Sequence, residues 1–417
     1  MSDSEEFNVN MAKKMDSTDF LSHFKERFFT PTNTTYLNGN SLGLLSKDAA
    51  TTLLRVLDEW KTLGVQGWTN EDNSWFYQAE RLGAKAASLV GAKPEEVVAT
   101  GTTTINLHSL VSTFYQPTEE KNKILADELN FPTDIYALQS QVKLKNLDPD
   151  KQLKLVKSED GKFLDEAKIK RMITKDVALV ILPSVLFRSG QLLDIEGITE
   201  NAHKKDVLIG WDCSHSVGVV PHKFDEWDVD FAFWCSYKYL NAGPGSSAFI
   251  YVNEKHFDKD AALTGWFGYV KEKQFEMNLN FEQSRNAGGW QISSPAILCS
   301  AALEGSLDLI LRAGIENIRE KSLKMTSYLI YLVDNVLTDE PYNFKLGTPR
   351  LPNQRGGHIA LEHEEAMSIH EELMEHKVIH DFRPPNFLRF TPSPLSNSYE
   401  DVWKLVNTLQ KIINESG

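Results

Sequence analysis

The chain has 417 residues, of which 41% are hydrophobic and 24% charged, and its formal net charge at pH 7 is −14. This composition predicts a globular protein of roughly two or three domains, and it argues against nucleic acid or an anionic membrane surface as a partner. The acidic N-terminal stretch MSDSEEFNVN is unlike a signal peptide, and no apolar run approaches the roughly 20 residues of a membrane helix. Cys213, Cys235 and Cys299 form no CxxC pair, so we expect a cytoplasmic protein.

Helical and strand patterns alternate through the middle of the chain. Helical spacing occurs at 80–90 and 105–114. Short β-branched, apolar runs predict strands at 95–99, 122–126, 176–182, 206–211, 230–235 and 248–252. Strands that are apolar on both faces are typical of a sheet covered by helices on both sides.

From about Leu303 the pattern changes to longer charged helices, with one strand near 357–361. We therefore expect a large domain over residues 61–300 and a smaller C-terminal domain over residues 301–417. Residues 1–60 are expected to form an N-terminal segment that packs with the smaller domain.

Ligands of such sheets bind beyond the carboxyl ends of the strands, so the residues that follow each predicted strand are candidates for a site. After EVVA, the stretch from Thr100 to Thr104 opens a helix, where hydroxyls and free N–H groups suit a phosphate. Threonine N-capping would explain the same pattern. Phe131 follows the next strand and Ser184 the one after it, and each alone is equally consistent with a core or turn residue.

Two charged residues follow the next two strands. Asp212 directly follows the apolar run DVLIGW, where a carboxylate needs a cation or strong donor, or caps the next helix. Lys238 lies between two apolar runs, flanked by Tyr237 and Tyr239. Lysine is seldom buried unless it is paired or used, and a partly desolvated amine suits covalent binding of an aldehyde.

A phosphate cradle, an aromatic side chain, an aspartate and a lysine thus follow successive strands in chain order. Pyridoxal 5'-phosphate needs this set, because an aspartate keeps its pyridine nitrogen protonated and a lysine binds its aldehyde. The sequence therefore predicts a pyridoxal phosphate site.

Several motifs resemble those of the kynureninase family, from about Tyr36 to the C-terminal region. WCSYKYLNAGPG resembles the cofactor-lysine motif, and YLNGNSLGL at 36–44 resembles the N-terminal signature. Five further stretches match in order and spacing: TTTINLH, NFPTDIYA, WDCSHSVG, GWFG and FLRFTPSPL. The resemblance implies the fold-type I α/β fold, with a mostly parallel seven-stranded sheet in a large domain and a smaller α+β domain.

The resemblance also implies roles for individual residues. Lys238, Tyr237 and Asp212 are implied to be catalytic, with Tyr237 as the acid–base group. Cofactor contacts are implied for Thr103, Thr104, Phe131, Thr133, Asp134, Ser184, Asp212, His215, Tyr237 and Lys238. Trp266 and Ser294 are implied to reach the cofactor from a second subunit, which implies a homodimer. Arg389 is implied to bind the substrate α-carboxylate, for which a planar guanidinium suits well, and Trp68 and Asn40 are implied to contact the substrate.

The implied reaction is hydrolytic Cβ–Cγ cleavage of L-kynurenine to anthranilate and L-alanine. 3-Hydroxy-L-kynurenine is a second possible substrate, giving 3-hydroxyanthranilate. Trp68 resembles the bacterial members of the family, and an indole offers one N–H donor and a large apolar face rather than a dedicated partner for a ring hydroxyl. The hydroxyls of Ser293 and Ser294 are an opposing feature, since either could contact that group.

Parts of this pattern also fit other classes of enzyme. A class V aminotransferase would use the same cofactor residues. A cysteine desulfurase needs a mobile nucleophilic cysteine on a loop, whereas Cys299 lies in the helix-like stretch AILCSAAL. The histidine-rich stretch 361–380 misses HExxH spacing, so a solvated amphipathic helix is favoured over a metal hydrolase and no metal is predicted.

Overall fold

The computed structural model describes residues 9–70 and 73–416. Its helices, α1 to α12 in chain order, are Val9–Ser17, Lys47–Leu63, Gln78–Ala87, Thr103–Phe114, Pro132–Leu144, Pro149–Gln152, Glu166–Met172, Ile195–His203, Ile297–Ala313, Ile315–Val336, Ala366–Glu375 and Tyr399–Ser416. Its strands, β1 to β13, are Thr35–Tyr36, Val97–Ala99, Lys123–Asp127, Leu153–Val156, Val177–Pro183, Leu208–Asp212, Phe231–Trp234, Phe249–Val252, Lys345–Leu346, Ile359–Glu362, Val378–Ile379, Asp381–Arg383 and Phe387–Phe390. None of these helices combines the length and apolar character that crossing a membrane requires.

In the described part of the chain, seven strands form the large sheet, in the order β2-β8-β7-β6-β5-β3-β4. Strand β8 runs antiparallel to both of its neighbours, and the other pairs in this sheet are parallel. Every residue of β5 is buried, as expected for a strand covered by helices on both faces. The predicted mostly parallel, seven-stranded α/β fold is confirmed.

Helix α3 lies very close to the sheet at Gly83. A Cβ atom at this position would lie 2.0 Å from the carbonyl oxygen of Val97 in β2. The neighbour is backbone and cannot move aside, so the absence of a side chain permits this approach. This close contact between α3 and β2 holds β2, and the turn that follows it, against the helical layer.

A second sheet, with the strand order β12-β13-β10-β9, is antiparallel and lies in the C-terminal region. Leu388 and Phe390 of β13 join a hydrophobic core that includes Val333 of α10, Leu373 of α11 and Val402 of α12. Side chains alternate along a strand, so the intervening residue, Arg389, points away from this core. The guanidinium of Arg389 therefore lies on the face of the small sheet that is turned towards the large sheet.

The N-terminal segment connects the two sheets. The carboxylate of Asp16, in α1, accepts hydrogen bonds from the backbone N–H groups of Tyr399 and Glu400 at the start of α12, at 2.7 and 3.0 Å. Strand β1 pairs in parallel with β11. Further along, the N–H of Gly43 donates to the carbonyl of Tyr237 at 2.8 Å, so the segment spans from the smaller sheet to the loop that carries Lys238.

Helix α9 begins near the predicted boundary between the domains. Its Leu303 and Leu307 pack into the hydrophobic core of the large sheet, and the helix lies along α2. The division of the chain at residues 60 and 300 stays a prediction.

Candidate active site

A cavity of about 270 Å³ lies at the carboxyl ends of the parallel strands, between the large sheet and the small one. Loops that follow β2, β3, β5, β6 and β7 form most of its wall, and the N-terminal segment and the small sheet close it. The lining residues are Asn40, Ser41, Thr103, Thr104, Phe131, Thr133, Asp134, Phe187, Asp212, Ser214, His215, Tyr237, Lys238, Arg383 and Arg389.

Asp212 is the last residue of β6, and its side chain faces the cavity. Its Oδ1 accepts a hydrogen bond from the N–H of Ser214 at 2.8 Å. Its backbone carbonyl accepts hydrogen bonds from the N–H and the hydroxyl of Ser184, at 2.8 and 3.1 Å. Ser184 is fully buried and also bonds Ser216. Among the described residues, Ser184 therefore supports the strand end that carries Asp212 and does not line the cavity, unlike the contact that the resemblance implied.

Asp134 brings a second carboxyl group to the cavity, from the first turn of α5. Within the described chain neither of its oxygens has a hydrogen-bond partner, and the residue is buried. Burial and the nearby charge of Asp212 raise the pKa of Asp134 well above its usual range. Burial and the charge of Asp212 thus both favour the protonated form of Asp134.

Lys238 lies across the cavity, beyond the end of β7. Its Nζ lies 2.8 Å from Nε2 of His215. Burial and the neighbouring charge of Lys238 lower the pKa of His215 well below its usual range, so the ring stays neutral. A neutral imidazole can accept a hydrogen bond from the lysine, which positions the amine. The sequence did not indicate this contact.

The turn after β2 carries the groups that were predicted to bind an anion. Thr103 and Thr104 begin helix α4, where free N–H groups and the helix dipole favour negative charge. The hydroxyl of Thr104 lies 3.0 Å from that of Thr133, so two strand-end loops meet here. Gly101 adopts a φ of +54°, and a Cβ there would lie 2.4 Å from Oδ1 of Asn106, so this turn requires glycine.

The small sheet and the N-terminal segment form the opposite wall. Arg389 is 1% exposed, and its guanidinium pairs with Asp381 and donates to the carbonyl of Phe187. Its Nε is buried with no partner in the described chain, and the same is true of both amide atoms of Asn40. Arg389 and Asn40 both line the same cavity as Lys238.

Four residues that line the cavity were not predicted as site residues from the sequence: Ser41, Phe187, Ser214 and Arg383. The ring of Phe187 meets the edge of Phe131 at a centroid distance of 5.4 Å. It follows β5 as Phe131 follows β3, and that parallel placement was the signal available for it. Ser41 lies beside Asn40 in the N-terminal motif, but nothing in its spacing indicated a contact with the small sheet.

Besides Ser184, three residues with implied contacts lie outside this cavity in the single chain. Trp266 is 49% exposed and Ser294 is also exposed. Trp68 is half-buried against Trp75 and Phe267, with ring centroids 5.9 and 6.2 Å away. Trp266 and Ser294 lie on the surface, and Trp68 lies near it.

The histidine-rich stretch does not form a ligand cluster. His370 and His380 are hydrogen bonded to each other at 3.1 Å, whereas His363 bonds the carbonyl of Tyr342. Among the described residues no group of three or more His, Cys, Asp or Glu could hold a metal ion. Cys299 is exposed on α9 and does not line the cavity.

The chemistry of the cavity fits pyridoxal phosphate. A lysine amine, a strand-end carboxylate, threonine hydroxyls at a helix N-terminus and an aromatic ring surround one space. Asp134 and His215 line the same space, and the carboxyl oxygens of Asp134 and Nδ1 of His215 are buried without a partner in the described chain. Polar groups of this kind are costly to bury unpaired, so their presence favours a polar ligand.

Comparisons with known proteins agree with this geometry. A class-V aminotransferase family model matches residues 36–344, and a kynureninase C-terminal domain model matches residues 318–409. A kynureninase of Geobacillus thermodenitrificans is 53% identical, over 98% of this chain and 95% of the relative. A kynureninase of Bacillus anthracis is 50% identical, over 97% of this chain and 94% of the relative. The chain belongs to the kynureninase family.

Kynureninase membership confirms the resemblance and the prediction of pyridoxal phosphate as cofactor. The chain is an enzyme of this family, and its function is that of a kynureninase. A solved cysteine desulfurase from Thermococcus onnurineus NA1 has a TM-score of 0.79 at 16% identity, covering 94% of this chain and 98% of its own. At that identity the likeness shows the shared fold alone.

Reduction of the purified protein with borohydride should fix the cofactor covalently on Lys238, because its amine lies at the cavity wall beside a neutral His215. Peptide mapping by mass spectrometry locates the label. Lys238→Ala should abolish this labelling, whereas Lys271→Met, a change at another buried lysine outside the cavity, should retain it. A label on any other lysine contradicts the assignment.

Proposed function

We propose that this cavity binds L-kynurenine beside pyridoxal phosphate and cleaves its Cβ–Cγ bond hydrolytically, releasing anthranilate and L-alanine. The observation that supports this proposal most directly is the position of the Lys238 amine. Its Nζ lies 2.8 Å from Nε2 of His215, in one cavity with Asp212 and Arg389. Near-complete alignment with curated kynureninases supports the same reaction. When bound, pyridoxal phosphate supplies an electron sink for negative charge that develops at the substrate α-carbon.

The residues proposed to hold the cofactor follow from their positions. Thr103 and Thr104 lie at a helix N-terminus suited to the phosphate, and Thr133 lies beside them. Phe131 offers a ring face. The carboxylate of Asp212 suits the pyridine nitrogen, and the carboxyl of Asp134, whose pKa is raised, can in its protonated form donate a hydrogen bond on the same side.

The proton transfers are assigned to Lys238 and Tyr237. The amine of Lys238 removes the substrate α-proton, and the neutral ring of His215 can hold that amine in place between steps. Burial raises the pKa of Tyr237, so its phenol stays protonated at neutral pH and can donate a proton. Tyr237 therefore suits the role of general acid.

The substrate amino-acid group is assigned to the wall opposite the large sheet. The buried, unpaired Nε of Arg389 suits the α-carboxylate, with which a guanidinium forms charge-assisted hydrogen bonds. The unpaired amide of Asn40 offers both a donor and an acceptor nearby. This places recognition and proton transfer on facing walls.

We further assign the enzyme to the cytoplasm and to the kynurenine pathway, in tryptophan catabolism or in precursor supply for NAD. Free cysteines support the location, since Cys213 and Cys235 are buried as thiols. The substrate assignment supports the pathway.

The purified enzyme with cofactor should release anthranilate from L-kynurenine, followed by fluorescence, and Asp212→Asn should lower kcat by about 100-fold to 1,000-fold. An amide does not stabilise a protonated pyridine as a carboxylate does, so the chemistry suffers more than cofactor retention. Cofactor content is measured by absorbance on the same samples. Asp194→Asn, which changes an aspartate outside the cavity, serves as the control. Near-normal turnover in Asp212→Asn would contradict the role of Asp212.

We also propose a homodimer in which Trp266 and Ser294 complete the site of the other subunit. The segment around Trp266 exposes Phe275, Met277 and Leu279 at 62%, 64% and 102%. Such a contiguous apolar surface favours a protein partner. A second copy of this chain is the occupant supported by the exposed Trp266 and Ser294.

Co-expression of Lys238→Ala and Trp266→Ala chains with different tags tests this arrangement. A mixed dimer contains one site with an intact Lys238 and an intact Trp266, so the mixture should recover about a quarter of wild-type activity. Each variant expressed alone should be strongly impaired. No recovery in isolated mixed dimers would show that Trp266 does not act across the interface.

L-kynurenine should be used at least as efficiently as its 3-hydroxy derivative. Trp68 packs beside Phe267, the neighbour of Trp266, and its indole provides no dedicated partner for a ring hydroxyl. Discrimination against the hydroxyl should be at most about 100-fold. Competition of the two substrates in one assay measures the ratio of kcat/KM, and Trp68→His should shift it towards 3-hydroxykynurenine.

The exposed Trp60 provides a matched control, because Trp60→His changes a tryptophan on α2 that is 58% exposed. This variant should leave the substrate ratio unchanged. A clear preference of the wild-type enzyme for 3-hydroxykynurenine would contradict the role given to Trp68 and favour Ser293 or Ser294 as partners of the hydroxyl.

A further inference from the structure

Strands β12 and β13 place three charged side chains together beside the cavity. Asp381 lies directly opposite Arg389 in the antiparallel register, where side chains of facing residues contact each other. Arg383 is two residues from Asp381, so both side chains leave the same face of β12. Leu388, next to Arg389, joins the hydrophobic core on the other face. The sheet thus presents two cations and one anion towards the site.

The carboxylate of Asp381 is the centre of this group. Its Oδ2 pairs with the guanidinium of Arg389, lies 2.9 Å from Nη2 of Arg383 and accepts a hydrogen bond from the hydroxyl of Ser41 at 3.0 Å. The side chain of Asp381 is only 13% exposed and that of Arg389 1%. Water therefore screens these charges little, and each one affects its neighbours strongly.

These contacts fix the orientation of the Arg389 guanidinium. Asp381 and Ser41 engage Nη2, and the carbonyl of Phe187 engages Nη1. The Nε–H is left without a partner in the described chain. Burial lowers the pKa of Arg389 only to about 10, so it remains a cation at neutral pH. The Nε–H is thus the donor of Arg389 that no contact in the described chain occupies.

We propose that Asp381 is a positioning residue that orients Arg389 and limits the carboxylate pocket to one net positive charge, so that the enzyme selects amino acids with a single carboxylate. Two guanidinium groups and one carboxylate leave a single positive charge, which one substrate carboxylate neutralises. A second carboxylate would be buried against the negative charge of Asp381, which is costly. The proposal rests on the proposed function, in which Arg389 binds the α-carboxylate.

Titration of the enzyme with its cofactor by L-alanine and by L-aspartate tests the charge limit. Binding is read from the absorption change of the bound cofactor, and the measured quantity is the ratio of the two Kd values. Asp381→Asn should shift this ratio at least about tenfold towards L-aspartate. Arg383→Gln, at a residue that is partly exposed, should shift it in the opposite direction. Asp381→Glu, which keeps the charge, should retain most of the wild-type selectivity.

A kinetic measurement tests the positioning role. Asp381→Asn should raise KM for L-kynurenine more than it lowers kcat. Without Asp381 the guanidinium of Arg389 loses its orientation, so its interaction with the bound carboxylate weakens in both the ground and the transition state. Asp334→Asn serves as the control, since it breaks an ion pair with Arg350 away from the cavity. This control should leave KM and both Kd values unchanged.

Specific results would overturn the proposal. These are an unchanged Kd ratio in both Asp381→Asn and Arg383→Gln, or a loss of kcat in Asp381→Asn with KM unchanged. If Asp381→Asn does not fold, the Arg383→Gln titration still decides the charge limit. If the wild-type enzyme releases no anthranilate, the proposed reaction is wrong, whereas the amino-acid titrations still test Asp381.

Discussion

The large sheet is apolar on both faces, and this constraint determines where polar chemistry can lie. Every residue of β5 and β7 is buried, so functional polar groups are carried beyond the strand ends. Because β3, β5, β6 and β7 run in one direction, their carboxyl ends share an edge. Asp134, Asp212 and Lys238 are brought together by this arrangement, although 104 positions separate the first from the last.

The small sheet follows a different rule and supplies a different part of the site. It is antiparallel, and the alternation along β13 sends Leu388 and Phe390 into a core and Arg389 to the cavity. A charged residue between two core residues is tolerated because Asp381 is opposite it in the register. Packing of the small sheet and the placement of Arg389 at the cavity therefore depend on the same strand pair.

The sequence predicted the large sheet well because its strands are short, β-branched and apolar, a pattern with a direct physical cause. Strand β4 was missed, since charged Lys154 interrupts its apolar pattern and its burial is partial. Asp212 and Lys238 were predictable because charge next to a buried strand is unusual. Ser41 and Ser184 were not, since a serine contact depends on which distant segment the fold brings near. The role of the exposed Trp266 could not be predicted from residue patterns either, because Trp266 does not line the cavity of its own chain.

The contact between Ser41 and Asp381 joins residues separated by 340 positions, and β1 pairs with β11 across a similar separation. During synthesis these contacts of the N-terminal segment can therefore form only after almost the whole chain has been made. The large sheet can assemble earlier, with its strand-end groups in place, because its strands lie between residues 97 and 252. A nascent chain would thus assemble the strand-end groups of the large sheet before the N-terminal segment and the small sheet can close the cavity around them.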